Sequence, residues 1–423
     1  MSSPRTMAEK ILAAKSGQDA RAGDFIVADV DFAYSHDANR PLPMILLGEF
    51  GAERVWDPGR YAVVLDHYPA PTEAAAKSHA QLRGFAADQG FRLFEVGQGI
   101  SHTVLPEAGL IAPGNLVVGS DSHTCTLGAL GAFATGIGST DLAAVLASGK
   151  IWLRVPETLR IELLGRFEPG VSVKDLTLHL AGRLGNDGAT YMALEFGGPG
   201  AAGLAMDARF TLANMAIEYG GKAGLFAVDE VTREWLSRHR PGEVEAIAAD
   251  PDATYAERLE VDLGRIEPSV ALPHSPDLVR PAGTLGDVAI QQVVIGTCSA
   301  GRIDDFAEAA AILEGRHVAP TVRLYVTPAS RSIMREALDR GYLRTLIDAG
   351  ATIGTPGCSG CVGGSHWAIP ADGENVITTA NRNFKGRLGN PNAFLYLSSP
   401  ATAAASAVMG VVTDPRTLPG RTA

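Results

Sequence analysis

Three cysteines are the residues of this chain best suited to chemistry: Cys298 in Gly296-Thr297-Cys298-Ser299-Ala300-Gly301-Arg302, and Cys358 with Cys361 in Pro356-Gly357-Cys358-Ser359-Gly360-Cys361. A closed structural zinc site or an electron-transfer iron–sulfur centre takes four protein ligands, whereas three thiolates leave one metal vertex open to water or substrate. An open vertex means Lewis-acid chemistry. Four cysteines in 423 residues cannot build a disulfide framework, and in a reducing compartment such thiols bind metal or stay buried. Cys125, alone after Asp121-Ser122-His123-Thr124, reads as a small core residue. Arg382 and Arg387 follow the cysteine pair in a Gly- and Asn-rich loop, a setting that suits anion binding.

Strand ends must position these groups. Asp24 to Phe32 reads as a strand leading into Ser35-His36-Asp37, and Tyr61 to Leu65 as one leading into Asp66-His67. Leu116 to Gly119 ends at Ser120-Asp121-Ser122-His123, and the Ala/Gly-rich stretch from Leu127 to Ala147 reads as helix. In open α/β sheets ligands bind outside the carboxyl ends of strands, so polar residues arriving there are placed for chemistry. A lone histidine is more often a satisfied surface or core residue, and spacing alone does not make His67, His102 or His123 catalytic.

A helix from Thr6 to Ser16 opens with the capping-box spacing Thr6-x-x-Glu9. A second α/β unit begins near Leu159 and includes a helical stretch from Met206 to Gly220 around Asn214 and Glu218, whose i,i+4 spacing shares one helix face. From His239 to Gly283 a Pro- and charge-rich segment reads as a long surface crossing. The third unit shows a βαβαβ order: strands at Gln291 to Ile295, Arg323 to Val326 and Ala351 to Ile353, with helices at Ile303 to Glu314 and Ser330 to Asp348. Cys298 follows its first strand and Cys358 its last, so the three thiols can meet at one sheet edge. Cys298 also precedes a helix, whose dipole favours a thiolate. The expected units are residues 1–157, 158–282 and 283–423.

The formal charge of -11 and pI near 5.4 disfavour non-specific nucleic-acid binding, which needs clustered cations. No run of about 18 apolar residues is present to span a bilayer, and Met1-Ser2-Ser3-Pro4-Arg5 lacks a signal peptide's apolar region. A cytoplasmic protein is expected.

The segments Gly119-Ser120-Asp121-Ser122-His123-Thr124-Cys125-Thr126 and Gly128 to Gly136, together with Asn381-Arg382-Asn383-Phe384-x-Gly386-Arg387 and the cysteine spacing, are similar to the aconitase-type dehydratases. Within these the chain most resembles the large subunits of the 3-isopropylmalate dehydratase and homoaconitase type, over nearly its whole length. The resemblance implies an α/β fold, a three-domain aconitase-type α/β/α core with parallel or mixed sheets, lacking the swivel domain. It implies a [4Fe-4S] cluster on Cys298, Cys358 and Cys361 whose fourth iron binds a substrate hydroxyl and carboxylate. It makes Asp66-His67 the pair that supplies a proton to the leaving hydroxyl, and places His102, Asp121 and His123 beside them. Asn214 and Glu218 match positions near the iron-bound oxygen, while Arg382 and Arg387, with Ser122, match groups that hold the substrate. The serine base of the family lies on the swivel domain, so a small-subunit partner is expected to complete the site and the chain alone to be nearly inactive.

The activity this implies is hydro-lyase isomerisation of a hydroxy di- or tricarboxylate, foremost 2- to 3-isopropylmalate in leucine biosynthesis. Rivals are homoaconitase or a dehydratase of a methyl-substituted malate, and, in another class, an iron-responsive RNA-binding or redox-sensing regulator. Relatives usually read Cys-Thr-Asn at the first cysteine where this chain reads Cys298-Ser299-Ala300, and Gly363-Gly364-Ser365-His366-Trp367 is also unusual; a specialised substrate or altered cluster stability follows as an expectation. Gly136-Ile137-Gly138 lacks the strand and acidic residue that a dinucleotide fingerprint requires.

Overall fold

Apolar runs such as Phe32-Ala33-Tyr34-Ser35-His36 and Gln292-Val293-Val294-Ile295-Gly296 are buried along their whole length, the pattern of strands covered on both faces. The computed structural model, which describes residues 3–242, 244–365 and 367–419, pairs them in parallel. The first sheet has the order Arg92–Phe94, Tyr61–Val64, Phe32–His36, Leu116–Gly119, Phe133–Gly136, with every pair parallel. The chain builds outward from Phe32–His36 on one side, then returns to build the other from Leu116–Gly119. That reversal opens a crevice beyond the carboxyl ends of these two strands.

The largest sheet repeats the plan. Ala351–Ile353, Arg323–Thr327, Gln292–Gly296, Asn375–Thr378 and Phe394–Ser398 are parallel, with the reversal between Gln292–Gly296 and Asn375–Thr378. Ser269–Ala271 and Val279–Pro281 extend it antiparallel. A third, four-stranded parallel sheet runs Ala223–Phe226, Ala193–Gly197, Thr158–Leu164, Glu257–Asp262. The segment read as a surface crossing therefore contributes edge strands to two sheets.

Side chains alternate as the pleat requires. Phe32, Tyr34 and Val64 pack with Leu159, Leu163 and Phe210 of the second unit, while Ala33 and Val63 face Met7, Ile11 and Leu12 of the first helix. Two sheets thus share one core. The third core packs Val293, Ile295, Phe306 and Val326 together with Cys298, Cys358 and Cys361. The helix Met7–Ser16 has the expected capping box, with Glu9 N donating to Thr6 Oγ1 and Thr6 N to Glu9 Oε2.

Three elements differ from the sequence reading. The strand expected from Asp24 to Phe32 is two: Phe25–Asp29 pairs antiparallel with Lys150–Arg154, and the chain turns at Val30 before the central strand Phe32–His36. The stretch Leu127 to Ala147 is a 3-10 segment Ser122–Leu130, a strand Phe133–Gly136 and a helix Ser139–Ser148. Gly131, at φ +77, breaks the first piece and lets Phe133–Gly136 join the sheet. Gly136-Ile137-Gly138 hence follows a strand, not a helix. Last, Gly341 at φ +82 divides Arg331–Asp339 from Tyr342–Asp348. No helix among the described residues is long and apolar enough to cross a membrane.

A Cβ on Gly128 would stand 2.0 Å from the carbonyl oxygen of Gly224, so Gly128→Val should cost on the order of 3 kcal/mol through overpacking. Gly84 lies inside the helix Glu73–Gln89 with nothing within 4 Å of its position for a Cβ. Gly84→Ala should raise stability by up to about 1 kcal/mol. Urea denaturation of both variants checks the contrast.

Candidate active site

The first cysteine is placed by backbone strain. Only glycine fits at Gly296, which takes φ +130 and where a Cβ would lie 2.0 Å from Thr327 O, and the following residue, Thr297, holds φ +74 although it is not glycine. The turn delivers Cys298 into the buried core beside Phe306 and Val326. Cys358 and Cys361 arrive in the turn after Ala351–Ile353, with Cys361 N donating to Cys358 O.

Side-chain donors already point at two of these sulfurs. Asn381 Nδ2 lies 3.2 Å from Cys298 Sγ, and Arg387 Nη2 lies 3.1 Å from Cys361 Sγ. Thr297 Oγ1, Thr327 Oγ1 and Arg387 Nε are buried without a partner, which leaves further donors for acceptors not supplied by protein. Among the described residues, groups whose ligand atoms all lie within 4.8 Å of one another do not include the three cysteines, whereas thiolates on one zinc at about 2.3 Å each must crowd closer than that. Burial and then the Cys361 charge push the Cys298 thiol up to about 11, and a bound cation reverses that sign. The donor set fits a polynuclear iron–sulfur group.

Opposite the sulfurs stands a chain of buried imidazoles and carboxylates. Asp37 accepts from the backbone N–H groups of His67 and Tyr68, each at 2.9 Å, and lies 3.0 Å from His79 Nε2. That fixes the turn on which Asp66 Oδ1 meets His67 Nδ1 at 2.6 Å. The other oxygen of Asp66 accepts from Ser101 N at 2.7 Å, at the start of the helix Ser101–Glu107 that holds His102.

Asp121 gathers the ring nitrogens. His102 Nε2 is 3.3 Å from it, His67 Nε2 3.5 Å, and His36 Nε2 and His123 Nδ1 each 3.6 Å. His36 stacks on His67 with ring centroids 4.1 Å apart. From His123 the network continues through Nε2 to Glu218 Oε1 at 2.8 Å, from Glu218 to Arg382 Nε at 2.8 Å, and from Arg382 Nη2 to Ser122 Oγ at 3.1 Å. Asn214 Oδ1 accepts from the same Asn381 amide that reaches Cys298.

Charge follows from these contacts. Burial works against an imidazolium at His67, but Asp66 and then Asp121 outweigh it and raise His67 well above the ordinary histidine value. His123 is raised too, burial being overcome by Asp121 and Glu218. Burial also works against the Asp121 carboxylate, yet His102 and its neighbours hold it well below the usual range. His36 is pulled down by burial and by His67. One cation therefore occupies the stacked pair, on His67.

The two halves are stitched by backbone. Cys358 N donates to Asp66 O at 2.8 Å, and Gly357 at φ +149 leaves no room for a Cβ, which would stand 2.6 Å from that same oxygen. Each residue singled out by sequence for catalysis, substrate or metal lies in this seam. Arg387 places its Nη2 on a cysteine sulfur, and Glu218 stands on the 3-10 turn Ala216–Tyr219 after the helix Met206–Met215 rather than on one helix with Asn214. His366 lies outside the described residues. Sequence reasoning missed Tyr34, whose hydroxyl is 3.2 Å from His102 Nδ1, along with Asn381 and a fully buried Lys174, and it gave His36 and Asp37 no role.

The Aconitase family (aconitate hydratase) profile matches residues 59–410. The chain belongs to the aconitase family. It is 49% identical over 414 residues to the 3-isopropylmalate dehydratase large subunit 1 of Methanopyrus kandleri, covering 97% of this chain and 99% of that one. It is 49% identical to the 3-isopropylmalate dehydratase large subunit of Moorella thermoacetica, covering 97% and 98% of the two chains. It is 47% identical to the 2,3-dimethylmalate dehydratase large subunit of Eubacterium barkeri, covering 97% and 99%. The crystal structure of Thermococcus kodakaraensis aconitase X in its holo form has a TM-score of 0.49 and 15% identity, covering 89% and 88%; the family assignment rests on the sequence matches. The aconitase family implies an iron–sulfur cluster.

Because His67 is raised in the folded chain, its ion pairs contribute stability that is complete below an unfolded imidazole's value of about 6.5 and is lost as pH rises through the folded value. Asp121→Asn should lower the titration midpoints of His67 and His123 and flatten that pH dependence. Histidine-selective NMR and urea unfolding across pH 5 to 9 check both.

Proposed function

We propose that the chain is the large subunit of an iron–sulfur hydro-lyase that moves a hydroxyl between adjacent carbons of a hydroxy dicarboxylate, with 2-isopropylmalate and 3-isopropylmalate as the pair. The observation that supports this most is the single seam holding three buried sulfurs on one wall and the His67, Asp121, His123, Glu218, Arg382 network on the other. A [4Fe-4S] cluster on Cys298, Cys358 and Cys361 supplies, when bound, a Lewis acid for the substrate hydroxyl and carboxylate.

His67 is the proton donor in this reading. Asp66 fixes its Nδ1–H, which leaves Nε2 to deliver a proton to the departing hydroxyl, and Asp121 stabilises the imidazolium beforehand. The carbon–oxygen bond breaks, a base takes a proton from the neighbouring carbon, and water and an unsaturated diacid result. Re-addition of water at the other carbon completes the isomerisation. His102 orients Asp121 and is itself oriented by the Tyr34 hydroxyl. Glu218 holds Arg382 by its Nε and Ser122 Oγ engages its Nη2, which leaves Nη1 to meet a carboxylate, while Asn214 positions the Asn381 amide. Arg387, whose Nη2 is on Cys361, presents its unpartnered Nε to the same space.

The base and further arginines come from a small-subunit swivel partner. The relatives matched are named large subunits. A dimethylmalate dehydratase at 47% identity keeps a methyl-substituted malate as the alternative substrate, with homoaconitase chemistry behind it. The net charge of -11 argues against an RNA-binding regulator, and the buried histidine–carboxylate network around Asp121 against a pure redox sensor. A cytoplasmic setting suits a cluster that needs reduced thiols.

Anaerobic reconstitution with iron and sulfide, with and without a small subunit, tests the proposal against a panel of isopropylmalate, 2,3-dimethylmalate, homocitrate and citrate. Partner-dependent formation of the unsaturated product from isopropylmalate is expected, and turnover of another acid alone would reject the substrate. Arg382→Lys should lower kcat/KM roughly hundredfold, about 3 kcal/mol of charge-assisted hydrogen bonding, with the cluster absorbance unchanged. Steady-state kinetics on the loaded complex measure it.

A further inference from the structure

Lys174 opens the first turn of the helix Val173–Leu184 and is completely buried. Its ammonium donates to Ser299 Oγ at 3.1 Å and to the carbonyl of Ala380 at 3.1 Å, and rests 3.7 Å from Met215 Sδ. Those three contacts use all its N–H groups, and none carries a charge. A buried ammonium without a counter-ion costs several kcal/mol, so the charge requires an anion nearby.

The carboxyls around it do not serve. Asp305 is pushed by burial to about 8 and holds its proton at neutral pH, while Glu218 is bound by His123 and Arg382. Both loops that Lys174 grips lead to sulfur. Ser299 follows Cys298 directly, and Ala380 precedes Asn381, whose amide donates to Cys298 Sγ.

We propose that Lys174 is a counter-ion of the iron–sulfur cluster: its positive charge, held against both the Cys298 loop and the Asn381 loop, acts from the Cys298 side, as Arg387 does from Cys361, in offsetting the negative charge of three thiolates and the cluster sulfides. Lys174 is thus a positioning residue that also raises the cluster's reduction potential, because a nearby cation stabilises the more negative reduced state in a low-dielectric interior. The proposal rests on the reading of the three cysteines as cluster ligands.

Lys174→Met removes the charge and keeps the length. The parent and variant are reconstituted anaerobically and their iron and sulfide counted. The cluster is then titrated by EPR-monitored reduction, and urea unfolding is measured for loaded and cluster-free chains. The variant's midpoint potential should move in the negative direction, and without the cluster the variant should be at least as stable as the parent. A variant that takes up no cluster, yet is as stable as the cluster-free parent, also supports the proposal. An unchanged potential, or a variant destabilised without the cluster as much as with it, reduces Lys174 to a structural hydrogen-bond donor and overturns it. A parent that takes up no cluster would instead sink the reading of the cysteines.

Discussion

Asp121 is a carboxylate taken out of water, and it stays ionised only because His67, His102 and His123 bring ring nitrogens to it while its own backbone turn supplies the His123 N–H. Removing any one of these neighbours leaves charge in a low-dielectric interior, where an unpaired ion is expensive. The same dependence runs outward. His67 needs Asp66, Asp66 is held by Ser101 N, and the turn bearing both hangs on Asp37. Proton chemistry at the site is a property of this whole set of contacts rather than of one residue.

Two parallel sheets with the same strand order make that set possible. Each reverses its direction of growth at a central strand, and each crevice so formed is lined by loops from the carboxyl ends. One crevice collects carboxylates and imidazoles, and the other collects thiols. Joining them demands close backbone approach, which is why Gly357 meets Asp66 O and Gly296 meets Thr327 O where a Cβ could not fit. The hydrogen bond from Cys358 N to Asp66 O then couples the sulfur loop to the Asp66–His67 turn directly. A shift of either sheet would move Cys358 and His67 together.

Much of this was legible in sequence because chemistry-bearing residues fell just past apolar runs. Cys298, Cys358, Asp66 and Asp121 all lie within a few residues of strand ends, and that pattern needs no knowledge of tertiary contacts. What stayed hidden was burial. Tyr34 sits in a strand as any core tyrosine does, and Lys174 in Val173-Lys174-Asp175 looks like a solvated helix start; nothing local says that either points inward. Asp37 could be read as a turn residue because its four donors, the backbone N–H groups of Asp66, His67 and Tyr68 and the His79 ring, all lie far from it in sequence. The split of Leu127 to Ala147 was missed for a related reason, since its alanines and leucines suit a helix and only the neighbouring strand Leu116–Gly119 gives Phe133–Gly136 a partner.

The altered loop Cys298-Ser299-Ala300 shows how such a site tolerates change. Ala300 is fully buried, so an amide there would need partners of its own inside the core. In its absence the loop is held from other directions. Thr211 Oγ1 donates to Ser299 O at 2.7 Å, Ser299 Oγ reaches Thr379 O at 3.2 Å, Lys174 reaches Ser299 Oγ, and Asn381 donates to the sulfur itself. The support comes from two helices of the second unit, Met206–Met215 and Val173–Leu184, and from the turn just past the strand Asn375–Thr378. Geometry at Cys298 is therefore carried by groups that do not belong to its own loop, and substitution within the loop changes the electrostatic surroundings of the sulfur more than its position.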